Sequence, residues 1–208
     1  MSELDLILWM QGASPSLDSV MVALSLMVYH AAFWILLAVL MVFSKDRRRP
    51  GIAILISLLA SYVAVELVTK ALIHRERPYI AEGLTPIIVD SLSYSFPSGH
   101  TAYSFASATV IAMYYGRWCI PAFVLASLIG ISRIYLGLHW PTDVVAGALI
   151  GIVVAIACVT LLRSRVPYFR ESSEEGRGPE LKKDYSSTSS FGMTWTYEPS
   201  CASTINIY

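Results

Sequence analysis

Long apolar runs decide what this chain can fold into, and there are five of them, at roughly 17–43, 52–73, 101–115, 118–136 and 144–162. A helix needs about 20 apolar residues to cross a hydrocarbon core of about 30 Å. Lipid cannot satisfy open backbone groups, so the runs must be helical. The third is short and rich in Ser, Thr and Ala, which makes its hydropathy signal the weakest. Over the whole chain 14% of residues are charged, against about 25% in a typical soluble domain. The expected fold is all-α: a polytopic membrane helix bundle with about five transmembrane helices.

Residues 1–13 precede the first run and are too few to span. Ser2 and Asp5 have capping-box spacing, and Leu4, Ile7, Leu8 and Trp9 suggest a helix lying in the membrane interface. No basic stretch leads into it, so a cleavable signal peptide is not expected. Residues 14–170 form the expected membrane core. The segment 171–208 opens with "ESSEEGRGPELKKDYSSTSS", polar and poor in aliphatics, and is expected to be a disordered tail. Cys119, Cys158 and Cys201 have neither paired nor metal-ligand spacing, so no disulfide and no structural zinc are expected.

Five spans put alternate connections on opposite faces. One face receives "SKDRRRPG", the "YGRW" turn and the tail, and with them eleven of the fifteen Lys and Arg residues. The other keeps Lys70, Arg75, Arg77 and Arg133. The positive-inside rule makes the first face cytoplasmic and puts residues 1–13 on the outer side.

Four polar clusters from distant parts of the chain fall on that outer face. Lys70 and Arg77 close the second run, in "KALIHRERP". Pro97, Ser98, Gly99 and His100 open the third. Ser132 and Arg133 come near the end of the fourth, and His139 and Asp143 straddle the start of the fifth. Lys70 and Arg77 are seven apart, two helical turns, which predicts a shared face. Three cations in a low-dielectric site repel one another unless an anion joins them, and phosphate suits the forked guanidinium of Arg133. Ser98 offers a hydroxyl, Gly99 permits close backbone approach, and the N–H groups of a helix start complete an anion cradle. A carboxylate at Asp143 can hold one nitrogen of His139 protonated and leave the other free as a nucleophile. His100, on another helix start, is placed to protonate a leaving oxygen.

Lys70-x6-Arg77-Pro78, Pro97-Ser98-Gly99-His100 and Ser132-Arg133-x5-His139-x3-Asp143 together resemble the three signature motifs of the type 2 phosphatidic acid phosphatase superfamily. The motifs stand in order at suitable helix ends, and the resemblance covers 17–163 in arrangement, with the tail outside it. It implies a metal-independent phosphatase that needs no cofactor. His139 would attack phosphorus to form a phosphohistidine, Asp143 would orient it, and His100 would protonate the departing group. Lys70, Arg77, Ser98, Gly99 and Arg133 would neutralise the phosphoryl oxygens. The outer loop 79–96 is short and largely apolar, which favours a substrate whose head group sits at the interface. The chain is similar in this to undecaprenyl-diphosphate phosphatases. Phosphatidylglycerophosphate and phosphatidate phosphatases share the motifs, and a lipid phosphotransferase or a non-catalytic scaffold are the other readings. The implied partners are membrane lipids and a lipid phosphate or diphosphate, with no nucleic acid.

Other polar residues fit scaffold roles. Glu66, four residues before Lys70, is expected to pair with it. His74 is expected to be an exposed interfacial histidine, and His30 to pack against a neighbour. Ala102, Ser104, Ala106, Ser107 and Ala108 in the third run, with Ala146, Gly147 and Gly151 in the fifth, suit close helix packing.

Overall fold

The protein is described by a computed structural model over residues 2–13, 15–27, 31–88 and 93–170. The expected tail at 171–208, His30 and residues 89–92 of the outer loop lie outside the described residues. Helices α1 (Glu3–Ala13), α2 (Asp18–Met27), α3 (Ala32–Phe43) and α4 (Arg48–Tyr62) come first. A π-helical stretch, Val63–Thr69, carries α4 onward into α5 (Lys70–Leu72). Then follow α6 (Pro78–Ala81), α7 (Gly99–Tyr115), α8 (Ile120–Tyr135), α9 (Pro141–Arg165) and α10 (Pro167–Arg170). No strand occurs among the described residues.

The five apolar runs correspond to α2 with α3, the continuous stretch Lys45–Leu72, α7, α8 and α9. Two of these, Lys45–Leu72 and Pro141–Arg165, are long and apolar enough to cross a membrane. The bent pair α2–α3 makes a third if counted as one span. Ala31, at the head of α3, has φ 61, a left-handed conformation that costs a non-glycine residue about 1 kcal/mol and breaks the helix there.

The weak third run proves to be the hub. Helix α7 packs against α9, α4 and α8, and ten of its residues are buried. A helix screened by its neighbours needs small residues more than apolar ones. Gly147 and Gly151 of α9 meet α7 so closely that an added Cβ would lie 2.5 Å from the Ser98 carbonyl oxygen and 2.2 Å from that of Ala102. Trp34 of α3 donates its indole N–H to Ser104 of α7 at 2.9 Å, which satisfies a buried polar group inside the apolar core.

At the N-terminus, Ser2 and Asp5 exchange backbone and side-chain hydrogen bonds of 2.7 and 3.1 Å, a reciprocal capping box. Ile7 of α1 is buried, while Leu8 and Trp9 are exposed. Gln11 donates to the Tyr135 carbonyl at 2.9 Å and so ties α1 to the end of α8. The end of α8, the starts of α7 and α9 and the end of α5 gather at one end of the bundle.

Candidate active site

Lys70 and Arg77 come together, though not on one helix face. Helix α5 stops at Leu72, Ile73 is extended (φ −119, ψ 102), and the chain stays non-helical as far as Arg77 (φ −74, ψ 151). Pro78 accounts for the last of these conformations, because a proline disfavours helical dihedrals in the residue before it. Ser93 joins the two cations instead. The Lys70 ammonium donates to Ser93 Oγ at 3.3 Å, while Arg77 donates to the Ser93 carbonyl at 2.9 Å and to Ser93 Oγ at 3.3 Å. Lys70 also donates to both Glu66 oxygens, at 2.9 and 3.0 Å. The expected Glu66–Lys70 pair therefore forms, inside a π-helical turn. His74, expected to be exposed, is exposed, beyond the end of the helix, and meets the Tyr94 ring at 4.4 Å.

The Pro97–His100 segment enters α7 through a cis Phe96–Pro97 peptide, with Ser98 at the N-cap position. A Cβ at Gly99 would stand 2.9 Å from Glu66 Oε1 and 3.3 Å from the Tyr103 hydroxyl, so both side chains would have to give way. The first-turn N–H groups of Gly99 and His100 belong to the set that an α-helix leaves without intrahelical acceptors. Ser98 is fully buried, shares a 2.9 Å hydrogen bond with the Thr101 hydroxyl, and donates its N–H to the Asp143 carbonyl at 3.0 Å.

Arg133 is 1% exposed and its guanidinium donates to Ser25 Oγ of α2. The turn after α8 folds back on Arg133, whose carbonyl accepts from the N–H groups of Leu138 and His139 at 3.1 and 3.3 Å. Gly137 allows that turn at φ 68. It delivers His139, 2% exposed, ahead of Pro141, the first residue of α9. Burial, with Arg133 and Arg77 close by, pushes the His139 imidazole down to about 3, against the opposing pull of Asp143. It is therefore an unprotonated base at neutral pH.

The sequence points to Asp143 as the group that orients His139, and the structure divides that task. The nearer partner of His139 Nδ1 is the Ser95 carbonyl at 2.7 Å, with Asp143 Oδ2 at 3.8 Å. A carbonyl can only accept, so Nδ1 carries the proton and Nε2 keeps its lone pair. Asp143 Oδ2 accepts from the Ser95 hydroxyl and, at 2.9 Å, from the Trp140 N–H. Asp143 Oδ1 accepts from Arg75 at 2.6 Å.

Ser93, Ser95 and Arg75 were not signalled by the motifs. Ser95 and Ser93 act partly through backbone carbonyls, which no residue type reveals. Arg75 stands between the motif positions Lys70 and Arg77, in a spacer where the pattern specifies no residue type.

A cavity of about 510 Å³ unites the cluster. Lys70, Arg77, Gly99, His100 and His139 line it, together with Glu66 and Ser93. Its remaining wall is apolar, from Ala31 and Ile35 on α3 and Leu55, Leu58, Leu59 and Tyr62 on α4. Ser98, Arg133 and Asp143 are buried and do not line it.

Residues 50–167 match the model of the PAP2 superfamily. An undecaprenyl-diphosphatase from Sulfolobus acidocaldarius is 33% identical over 120 residues, which are 57% of this chain and 58% of that protein. Among solved structures, LpxE from Aquifex aeolicus superposes with a TM-score of 0.64 at 29% identity, over 76% of this chain and 94% of that one. A PAP2-type phosphatidylglycerolphosphate phosphatase from Bacillus subtilis gives 0.61 at 25% identity, over 79% of this chain and 88% of that one.

Proposed function

Because the chain belongs to the PAP2 superfamily, we propose that it is an integral-membrane lipid phosphatase that works through a phosphohistidine on His139. The observation that carries this reading is the cavity: cations and two histidines at one end, an apolar wall from α3 and α4 along the rest. A head-group phosphate fits the first part and a lipid chain the second.

His139 Nε2 attacks phosphorus and the bond to the leaving oxygen breaks, with His100 supplying that oxygen's proton. The positive charge that develops on the imidazole is held by the Ser95 carbonyl and the nearby Asp143 carboxylate. Water then attacks the phosphohistidine, His100 takes its proton, and inorganic phosphate leaves with His139 restored. Lys70, Arg77 and the first-turn N–H groups of α7 meet the phosphoryl charge, with Arg133 adding its field from behind the wall. Binding a phosphate requires Lys70 to share or release Glu66.

The preferred substrate in this reading is a polyprenyl diphosphate such as undecaprenyl diphosphate, as in the archaeal relative. The Bacillus neighbour favours phosphatidylglycerophosphate as the second candidate, and phosphatidate is the third. The full-length protein, purified in detergent and assayed in EDTA against all three lipids, should release phosphate fastest from the polyprenyl diphosphate. No release from any lipid would overturn the phosphatase reading, and a faster rate on phosphatidylglycerophosphate would replace the substrate.

The same reading puts the site on the outer face and the tail in the cytoplasm, from the Lys and Arg distribution. In a background with the native cysteines replaced by serine, Glu82→Cys should react with an impermeant thiol reagent on intact cells. Reaction only after permeabilisation would reverse the orientation.

A further inference from the structure

We propose that Arg75 is a positioning residue for His139, holding the Asp143 carboxylate in place and tying it through Glu3 to helix α1. The inference rests on the phosphatase reading for its kinetic readout only.

The geometry is a closed set of bonds around the carboxylate. Arg75 Nη1 donates to Asp143 Oδ1 at 2.6 Å and to the Thr142 hydroxyl at 2.6 Å. The Arg75 carbonyl accepts from the Ser95 N–H at 2.8 Å. Ser95 in turn gives its hydroxyl to Asp143 and receives His139 Nδ1–H on its carbonyl at 2.7 Å. Arg75 thus fixes both groups that face His139 Nδ1, one with its side chain and one with its backbone.

The second half of the guanidinium faces α1. Arg75 Nη2 donates to Glu3 Oε2 at 2.6 Å, and Glu3 Oε1 accepts from the Thr142 N–H and hydroxyl at 3.0 and 2.7 Å. Burial would raise the Glu3 carboxyl, but the hydrogen bonds from Thr142 and Arg75 outweigh it and hold the group below its ordinary value. Glu3 is therefore charged at neutral pH. The guanidinium lies over the Trp140 ring at 5.1 Å, which fixes its plane. A planar fork can serve two carboxylates at fixed angles, which a lysine cannot do. Arg75 does not line the cavity, so it acts on the chemistry through Asp143 and Ser95.

Helix α1 presents Leu8 and Trp9 outward, on the face that would meet lipid. Glu3 at one end and Gln11 near the other pin it across the ends of α8 and α9. The seating of α1 on the membrane surface is in this way coupled to the orientation of His139.

The test compares wild type with R75A, R75Q, R75K and E3Q in the full-length protein. R75A and R75Q should lower kcat roughly 10- to 100-fold, the range seen when an orienting outer partner is removed, with KM changed by less than about 3-fold. R75K should recover part of the loss, and E3Q should show a smaller loss in the same direction. With 4 histidines in the chain, 15N-histidine NMR can follow His139 directly, its signals assigned with H139Q. Wild type should show the Nδ1–H tautomer, and R75Q should shift it toward a mixture. R75A or R75Q with kcat within about 2-fold of wild type, or a loss confined to KM, would overturn the proposal. So would an unchanged tautomer in R75Q. If wild type turns over no lipid, the phosphatase reading falls alone, and the tautomer measurement still decides the role of Arg75. R75K and R75Q serve if R75A does not fold.

Discussion

Replacement of His139 by alanine should abolish phosphate release, with a loss of at least about 10⁴-fold, the scale on which removing a nucleophile or its base acts in hydrolases. The residue is 2% exposed, its Nδ1 is committed to the Ser95 carbonyl, and its imidazole is unprotonated at neutral pH. His100 lines the same cavity from the first turn of α7 and has the separate role of proton donor in the proposed mechanism. Two measurements check the assignment. Rapid quench of wild type into alkaline detergent during turnover with a phosphate-labelled lipid should trap a covalent adduct that survives base and is lost in acid, absent from His139→Ala. Inorganic vanadate should still bind His139→Ala, because Lys70 and Arg77 remain. Measurable turnover in His139→Ala would remove it as nucleophile, whereas an adduct on a different residue would move the role there.

Gly151→Ala should be among the most destabilising single-methyl changes in the chain. The added Cβ would sit 2.2 Å from the Ala102 carbonyl oxygen and 3.0 Å from the Ala106 nitrogen. Both are backbone atoms of α7, so no side-chain rotation relieves the clash, and the two helices must separate. Overpacking a core costs about 1–3 kcal/mol where side chains can adjust, and this site belongs at or above the upper end. Separation would also shift Ser98, whose carbonyl lies against Gly147 one turn earlier on α9. Gly12→Ala is the control, since nothing stands within 4 Å of its Cβ position. It should be neutral or stabilising, by about 0.5–1 kcal/mol. The thermal midpoint in detergent and the yield of monodisperse protein report both variants. Equal midpoints for the two would refute the packing account of α7 and α9.

The helices were legible because their physics is local and repetitive: apolar runs long enough for a bilayer, and a Ser2–Asp5 capping box that forms as spaced. The small residues of 101–115 foretold close packing even where hydropathy was weak. The relation between Lys70 and Arg77 was not legible from helical spacing. It depends on the helix ending at Leu72, well before Arg77. The count of spans is softer than five apolar runs suggest, since α7 at 17 residues and α8 at 16 are short. The motifs singled out side chains that the structure gathers at one end of the bundle, but not the groups that hydrogen-bond to them. Ser95 meets His139 through a carbonyl that every residue has, and Arg75 lies in the motif's spacer, where no residue type is specified.

The bonds that converge on Asp143 have a consequence for when the protein becomes active. They reach back 48 residues to Ser95 and 68 to Arg75, and the neighbouring Thr142 reaches back 139 to Glu3. Contacts so distant in sequence pay their loop-closure entropy before any reward arrives. A chain made from its N-terminus can insert α1 to α5 early, yet His139 is not oriented until α9 arrives and draws the earlier segments together. In the proposed mechanism, catalytic competence is therefore a last-stage property of assembly, and a half-built bundle at the membrane would hydrolyse nothing.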